Sequence, residues 1–205
     1  MITRHLSLLG WLAMLLLIGT TQGVPVQAGD PTPPSPPTFN EKDLFPYKPK
    51  GQGAAVGQVF LGLPSGKAIT QAGASVYLIP VVPYTRAWFD RNVRANACLP
   101  KVQPAPTEGS SSPVSHTDCI HSVMTQLLAE KRLIPYLRIT RANPTGHFWF
   151  IKIPAGRYYV VSVLEGNGGS HQEERAVGIA WSTIDLDADE KATNLVVSDC
   201  KSALC

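Results

Sequence analysis

The C-terminal half of this 205-residue chain is a succession of short β-forming segments separated by turn residues. Each segment is rich in β-branched and aromatic residues, and the intervening turns contain proline, glycine, asparagine or aspartate. Two similar segments precede them, at 54–63 and 73–82. Seven short strands at this spacing predict a mainly β fold, an antiparallel β-sandwich. The five C-terminal segments are 133–140, 147–153, 157–165, 175–186 and 192–199.

One helix is predicted, over residues 119–131, because its apolar residues recur at the spacing of a single helical face. These are Ile120, Val123, Met124, Leu127 and Leu128. The face is expected to pack on the sheet, and a partner-binding helix is the alternative. The helix lies in a long insertion, 83–132, which starts with a short helical or extended segment and includes a surface loop at 101–117.

The N-terminus has the pattern of a secretory signal peptide over residues 1–28. A basic start is followed by an apolar, uncharged stretch from Leu6 to Thr21, and small residues predict cleavage between Ala28 and Gly29. The alternative is an uncleaved anchor, although the stretch is short for a membrane span. We therefore expect a periplasmic or secreted protein, with membrane association only through an uncleaved segment.

Residues 29–53 are expected to form an extended proline-rich spacer, since PTPPSPPTF has five prolines in nine residues. A poorly ordered terminus is the alternative interpretation. Phe45 and Tyr47 are apolar enough to dock on the domain or on a partner. The folded domain is expected to span 54–200, with a short tail at 201–205.

Four cysteines lie beyond the apolar N-terminal segment: Cys98, Cys119, Cys200 and Cys205. In an oxidising compartment two disulfides are the expected use. Three pairings are possible, and closure of local loops favours Cys98–Cys119 with Cys200–Cys205. A thiolate metal site is disfavoured because no two cysteines have the CxxC spacing.

Four sequence patterns resemble those of carboxypeptidase regulatory-like domains. They are a G-x-V strand at Gly57–Val59, a G-A-x-V-x-L strand at Gly73–Leu78, an aromatic strand after Gly146, and a PAG-x-Y segment at Pro154–Tyr158. The resemblance extends over about 54–200 and implies a transthyretin-like sandwich. The insertion departs from the minimal domain of that family.

The residues of these patterns have scaffold roles. Pro154 and Gly156 are expected to make a tight hairpin reversal, and Tyr158 to bury its ring while its hydroxyl finds a partner. Gly73 is expected to allow close approach to a neighbouring strand. The patterns indicate a fold and leave the function open, because such a scaffold carries several unrelated activities.

No complete metal or catalytic constellation is apparent, so we predict no catalytic residues and no cofactor. His116 and His121 are weak metal candidates, because two ligands do not make a site. The aspartates at 185, 187 and 189 resemble the start of a calcium loop, but Glu190 stands where the loop needs glycine. A solvated turn is the expected structure there.

Aromatic residues are numerous for one sandwich, and Trp88, Trp149 and Trp181 are candidate ligand-binding residues. Alternation along a strand places Phe148 and Phe150 on one face and Trp149 on the other. One face must be core. The other is expected to be covered by the helix, because aromatic residues are usually buried, and an exposed patch is the alternative.

Net charge is only +3, from 18 basic and 15 acidic residues, which argues against a nucleic-acid partner. The sequence is most consistent with an exported, non-catalytic binding or assembly module of the cell envelope, with an envelope protein or a glycan as partner. Two alternatives stay open. One is a carbohydrate- or small-ligand-binding module that uses the three tryptophans. The other is a metalloenzyme that uses His116, His121 and an aspartate.

Overall fold

The computed structural model describes five parts of the chain: residues 35–62, 67–95, 98, 116–167 and 175–199. Several predictions fall outside them. These are the signal peptide and its cleavage site, the first part of the proline-rich segment, most of the 101–117 loop, the tail and the Cys200–Cys205 pair.

The described residues contain nine strands, in two facing sheets and a small ribbon. The three-stranded sheet has the order β6-β1-β9, the four-stranded sheet has the order β5-β4-β7-β8, and β2 pairs with β3. The predicted β-sandwich is confirmed. Its pairs are antiparallel except β1 with β9, which run parallel. The strands are β1 (Gly53–Val59), β2 (Leu61–Gly62), β3 (Ala68–Ile69), β4 (Ser75–Pro80), β5 (Arg138–Arg141), β6 (His147–Ile153), β7 (Gly156–Asn167), β8 (Arg175–Leu186) and β9 (Lys191–Val197).

The space between the two sheets is filled by the inward side chains of alternating strands. On β1, Ala55 and Val59 are fully buried. On β6, Phe148 and Phe150 are buried, with their ring centroids 5.8 Å apart in an edge-on arrangement. The prediction that these two phenylalanines share one face is confirmed, and that face, which the sequence left open, is the core face.

A layer of helices covers the outer face of the four-stranded sheet and forms a second core. Phe89 stacks on Tyr159 of β7 with ring centroids 3.8 Å apart, and Val123 and Leu127 are buried. The predicted helix is confirmed, three residues earlier than expected, and its apolar face packs toward the sheet. The layer contains α1 (Pro83–Phe89), a π-helical turn (Asp90–Arg94), α2 (His116–Leu128) and 3-10 helices at Glu41–Tyr47 and Ile134–Tyr136.

The disulfide between Cys98 and Cys119 is confirmed, with the two Cα atoms 5.5 Å apart. It ties the chain just after the π-helical turn to the first turn of α2. The two helical pieces of the insertion are therefore linked covalently as well as through the second core. Among the described residues, no helix is long and apolar enough to cross a membrane.

The expectation of an unpacked spacer is wrong for residues 39–47. Asn40 caps a 3-10 helix by accepting from the Lys42 N–H at 3.2 Å, and Leu44 is completely buried in the second core. Tyr47 packs edge-on against Tyr158, with ring centroids 5.3 Å apart, whereas Phe45 is 53% exposed. The prolines made this segment look extended, but its apolar residues find partners that are distant in sequence.

The 133–140 segment is also different from the prediction, because β5 begins only at Arg138. Pro135 lies within the 3-10 helix before it. Proline has no N–H for a sheet ladder, and its fixed φ suits a helical turn. The buried Tyr136 of this helix donates a hydrogen bond to the Glu41 carboxylate at 2.8 Å, which anchors the N-terminal segment.

The expected hairpin at Pro154 and Gly156 is wrong, because β6 pairs with β1 whereas β7 pairs with β4 and β8. The segment is a corner that carries the chain from one sheet to the other. Tyr158 buries its ring as predicted, and its hydroxyl donates to the Pro154 carbonyl at 2.8 Å. The expectation that Gly73 allows close approach to a neighbouring strand is wrong, because a Cβ at this position would meet nothing within 4 Å. The φ of Gly73 is +77°. A turn with positive φ explains that glycine.

Candidate functional site

Trp149 projects from the outer face of the three-stranded sheet and is 56% exposed. The alternation that buries Phe148 and Phe150 turns Trp149 outward, together with its neighbour Ile151, which is 61% exposed. Contiguous exposed apolar side chains of this kind often mark an interaction site, whereas single ones are common. Trp149 is therefore the starting point of a candidate site.

Residues of the two neighbouring strands extend this surface. Val56 lies directly opposite Trp149 on β1 and is 40% exposed. Val196 on β9 pairs with Gln58 and is 56% exposed. We call Val56, Trp149, Ile151 and Val196 the tryptophan face. Side chains opposite each other on paired strands lie about 5 Å apart, so Trp149 and Val56 form a continuous apolar surface.

The helical layer does not cover the tryptophan face. We expected packing by the helix to be the simplest explanation of an outward aromatic, but α2 lies over the four-stranded sheet on the other side of the sandwich. This expectation is wrong for Trp149. The three-stranded sheet has an outer face that the described part of the chain leaves open.

The polar residues beside the tryptophan face are held by one turn. The Gln58 side-chain amide donates to the Thr145 carbonyl at 2.7 Å, and His147 Nδ1 lies 2.9 Å from the Thr145 hydroxyl. The Asn143 carboxamide oxygen accepts from the N–H groups of Thr145 and His147 at 3.0 and 2.9 Å. These hydrogen bonds fix the backbone at the start of β6, which is the strand that carries Trp149.

The three candidate tryptophans are not brought together. Trp88 is only 7% exposed, and its indole N–H donates to the Val123 carbonyl at 3.4 Å. It belongs to the second core, so the expectation of an accessible ligand-binding aromatic at Trp88 is corrected. Trp181 is half-buried and packs edge-on against Phe89, with ring centroids 5.1 Å apart. Both lie on the helical side of the sandwich, opposite Trp149.

A separate cleft lies between α2 and the ends of β4 and β7, with a volume of about 360 Å³. We call it the α2 cleft. His121 and Glu165 face each other in its wall, with 3.5 Å between the imidazole Nε2 and a carboxylate oxygen. The Glu165 N–H donates to the Gln71 side-chain carbonyl at 2.9 Å. Its other lining residues are Gly73, Ala74, Ser75, Tyr77, Met124, Thr125, Leu128 and Val163.

The weak metal candidates lie apart from the tryptophan face. His116 begins α2, and its side chain is outside the described residues, whereas His121 pairs with Glu165. Within the described ranges, no three His, Cys, Asp or Glu side chains gather as metal ligands would. A metal role for His116 and His121 stays a prediction without a described third ligand.

The three aspartates lie at the end of β8 and in the turn that follows. Asp185 is held by Arg157, whose guanidinium donates to both carboxylate oxygens at 2.6 and 3.0 Å. This hydrogen bonding lowers the pKa of Asp185. The Asp187 N–H donates to the Glu190 carboxylate at 2.8 Å, which closes the exposed turn. The prediction of a solvated turn is confirmed.

Sequence reasoning found Trp149 but missed the residues around it and the whole α2 cleft. From the sequence, Val56 and Val196 could be assigned only to strands. Whether their side chains are exposed depends on which of the two sheets the helical layer covers. The cleft joins residues 71–77, 121–128 and 163–165, which are far apart in sequence. No local signal connects them.

No known family model matches this sequence, and no curated protein matches it. Among solved structures, its fold is similar to that of a Pseudomonas aeruginosa protein described as a candidate carbohydrate-binding protein. The two share 19% identity and a TM-score of 0.55, and the alignment covers 80% of this chain and 99% of that one. At this identity the similarity shows the fold alone. The carboxypeptidase regulatory-like resemblance is thus supported for the β-sandwich and not for the family.

Two structures of a pilus backbone protein from Streptococcus pneumoniae also align with the chain, at 13% and 12% identity. Each alignment covers 71% of this chain, but only 41% and 30% of the pilus chains. Their TM-scores, 0.23 and 0.25, are too low for any structural argument.

Proposed function

We propose that this protein is an exported, non-catalytic binding module of the cell envelope, which docks on a protein partner through the tryptophan face. The observation that carries the proposal is the exposure of Trp149 and Ile151, at 56% and 61%, on a strand whose alternate residues are core. Contiguous apolar surface of this kind is costly in water and commonly marks an interaction site.

The composition of the face favours a protein over a sugar at Trp149. A bound saccharide needs hydrogen-bonding side chains around the stacking ring. The polar neighbours on β1 and β6 are Gln58 and His147, and both already interact with Thr145. On the edge strand β9, Thr193 and Asn194 are exposed next to the aliphatic Val196. An apolar centre with polar residues at its edge is the usual anatomy of a protein interface.

Export is supported by two features from different parts of the chain. The apolar N-terminal segment has the pattern of a signal peptide. The Cys98–Cys119 disulfide is typical of a protein that folds in an oxidising compartment. We propose a periplasmic or secreted location on these grounds, with the carboxypeptidase regulatory-like family as the proposed origin of the scaffold.

Site-specific photocrosslinking in cells tests the proposal. A photoreactive amino acid is placed at Val56 or Val196 on the tryptophan face, and at the comparably exposed Phe45 as a matched control. We expect both face positions to capture the same protein at a defined mass, and position 45 to capture none. Equal crosslinking from Phe45, or none from either face position, would contradict docking at this face.

A further inference from the structure

We propose that the α2 cleft is a second binding site, independent of the tryptophan face, and that it takes a small neutral saccharide with free neighbouring hydroxyl groups. The cleft lies on the helical side of the sandwich, and the tryptophan face lies on the opposite side. Its volume of about 360 Å³ is at the lower end of the range for small-molecule sites.

The wall of the cleft combines apolar and polar groups in the way a sugar ring requires. Met124 and Leu128 of α2 and Val163 of β7 supply an apolar surface for the C–H groups of a ring. Tyr77 adds an aromatic ring from β4, half-buried against the second core. Such a surface positions a ring, while the polar groups determine which ring is accepted.

Residues with unused hydrogen-bonding groups line the same wall. Within the part of the chain that the structure describes, the Tyr77 hydroxyl, the Ser75 hydroxyl and the Gln71 side-chain NH₂ have no hydrogen-bond partner. Gln71 uses only its carbonyl oxygen, which accepts from the Glu165 N–H. The Glu165 carboxylate is half exposed and meets His121 through one oxygen. Residues that carry donors and acceptors therefore line the cleft together.

This mixture selects the chemical class of the ligand. A hydroxyl group both donates and accepts, so neighbouring sugar hydroxyls can donate to Glu165 and accept from Tyr77 and Gln71. An ammonium group only donates and would leave the Gln71 donors unused. A carboxylate only accepts and would be repelled by Glu165. A neutral polyhydroxylated ring satisfies both sets of groups at once.

The test is titration of the isotope-labelled full-length exported chain with methyl glycosides of glucose, galactose, mannose and N-acetylglucosamine, followed by amide chemical shifts in NMR. We expect at least one glycoside to shift amides of residues 71–77, 121–128 and 163–165 together. Methyl glucuronide, which carries a carboxylate, should bind more weakly than methyl glucoside. No shift with any glycoside, or shifts confined to other regions, would overturn the proposal.

Matched variants make the test specific. Tyr77→Phe removes only the hydroxyl of a residue that lines the cleft and should weaken binding about fivefold. Tyr84→Phe removes a tyrosine hydroxyl outside the cleft and should leave the affinity unchanged. Ser75→Trp is designed to fill the cleft and abolish the shifts, and if it fails to fold, the comparison of the two tyrosine variants still decides. Equal affinity in Tyr77→Phe and the unmodified chain would overturn the proposed site.

Each of the two proposals can be refuted without affecting the other. Photocrosslinking at the tryptophan face does not involve the α2 cleft, and glycoside titration does not involve Trp149. Glycoside-dependent shifts on β1 and β6 in place of the cleft would move the saccharide site to Trp149. That result would contradict the inference made for the cleft.

Discussion

Val56 and Trp149 lie directly opposite each other on the antiparallel strands β1 and β6, and both point away from the core. The residues beside them in sequence, Ala55 and Phe150, are also paired and are buried between the sheets. One register thus produces a packed inner face and an apolar outer face. The inner face explains the fold, and the outer face is the basis of the proposed function.

We predict that the packing of the N-terminal segment, residues 39–47, contributes to the free energy of unfolding of the domain. Leu44→Ala should destabilise the protein by about 3 kcal/mol, because it empties a fully buried position in the second core. Phe45→Ala, at the exposed neighbouring position, should change stability by less than about 0.5 kcal/mol. Urea denaturation of both variants measures the difference. Equal stability of the two variants would mean that the segment is not held as described.

The Cys98–Cys119 disulfide should stabilise the helical layer. Replacing both cysteines with alanine should lower the free energy of unfolding by about 3 kcal/mol, from the loop entropy of a 21-residue separation. Paired substitution is preferable to a reductant, because a reductant would also act on the predicted Cys200–Cys205 disulfide. Urea denaturation of the variant and of the intact protein gives the value, and no loss of stability would contradict this role.

The hydrogen bond donated by the Tyr158 hydroxyl should stabilise the corner that connects the two sheets. Burial raises the pKa of Tyr158, so the hydroxyl stays protonated and donates to the Pro154 carbonyl. Tyr158→Phe leaves that buried carbonyl unpaired and should cost about 1–2 kcal/mol. Tyr84→Phe is the control, since no hydrogen bond of its hydroxyl is seen among the described residues. Equal denaturation midpoints for the two variants would argue against the corner bond.

Asp185 should titrate at a lower pH than an ordinary aspartate, because the Arg157 hydrogen bonds lower its pKa. The unfolded state takes up its proton first as pH falls. The pair therefore stabilises the fold above the ordinary aspartate pKa, and this contribution is lost as pH falls through the lower folded value. In Arg157→Gln, carboxyl NMR should show the Asp185 midpoint rising toward its ordinary value. Arg141→Gln should leave it unchanged, and an unshifted midpoint in Arg157→Gln would refute the assignment.

Local sequence signals were sufficient for much of the sandwich. The predicted bounds of β6 and β8 match the structure, because period-two alternation and flanking turn residues define both strands. The same alternation placed Trp149 opposite to Phe148 and Phe150. These features depend on a few neighbouring residues, which a single sequence contains in full.

Features that depend on distant contacts were missed. The corner at Pro154 looked like a hairpin because turn residues show that a chain reverses, and do not show which strands then pair. Leu44 looked like part of a spacer because its burial depends on helices far away in sequence. The α2 cleft was not predicted for the same reason, since three separate segments form it.

Docking through the tryptophan face is tested most directly by the photocrosslinking yield at Val196 with and without the Trp149→Ala substitution. Trp149 contributes little to the core, so we expect this variant to unfold at nearly the same temperature as the unmodified chain. The crosslinking yield should fall about tenfold or more, as for loss of a central interface tryptophan. Phe45→Ala should leave the yield unchanged. An undiminished yield in Trp149→Ala would contradict the proposed function.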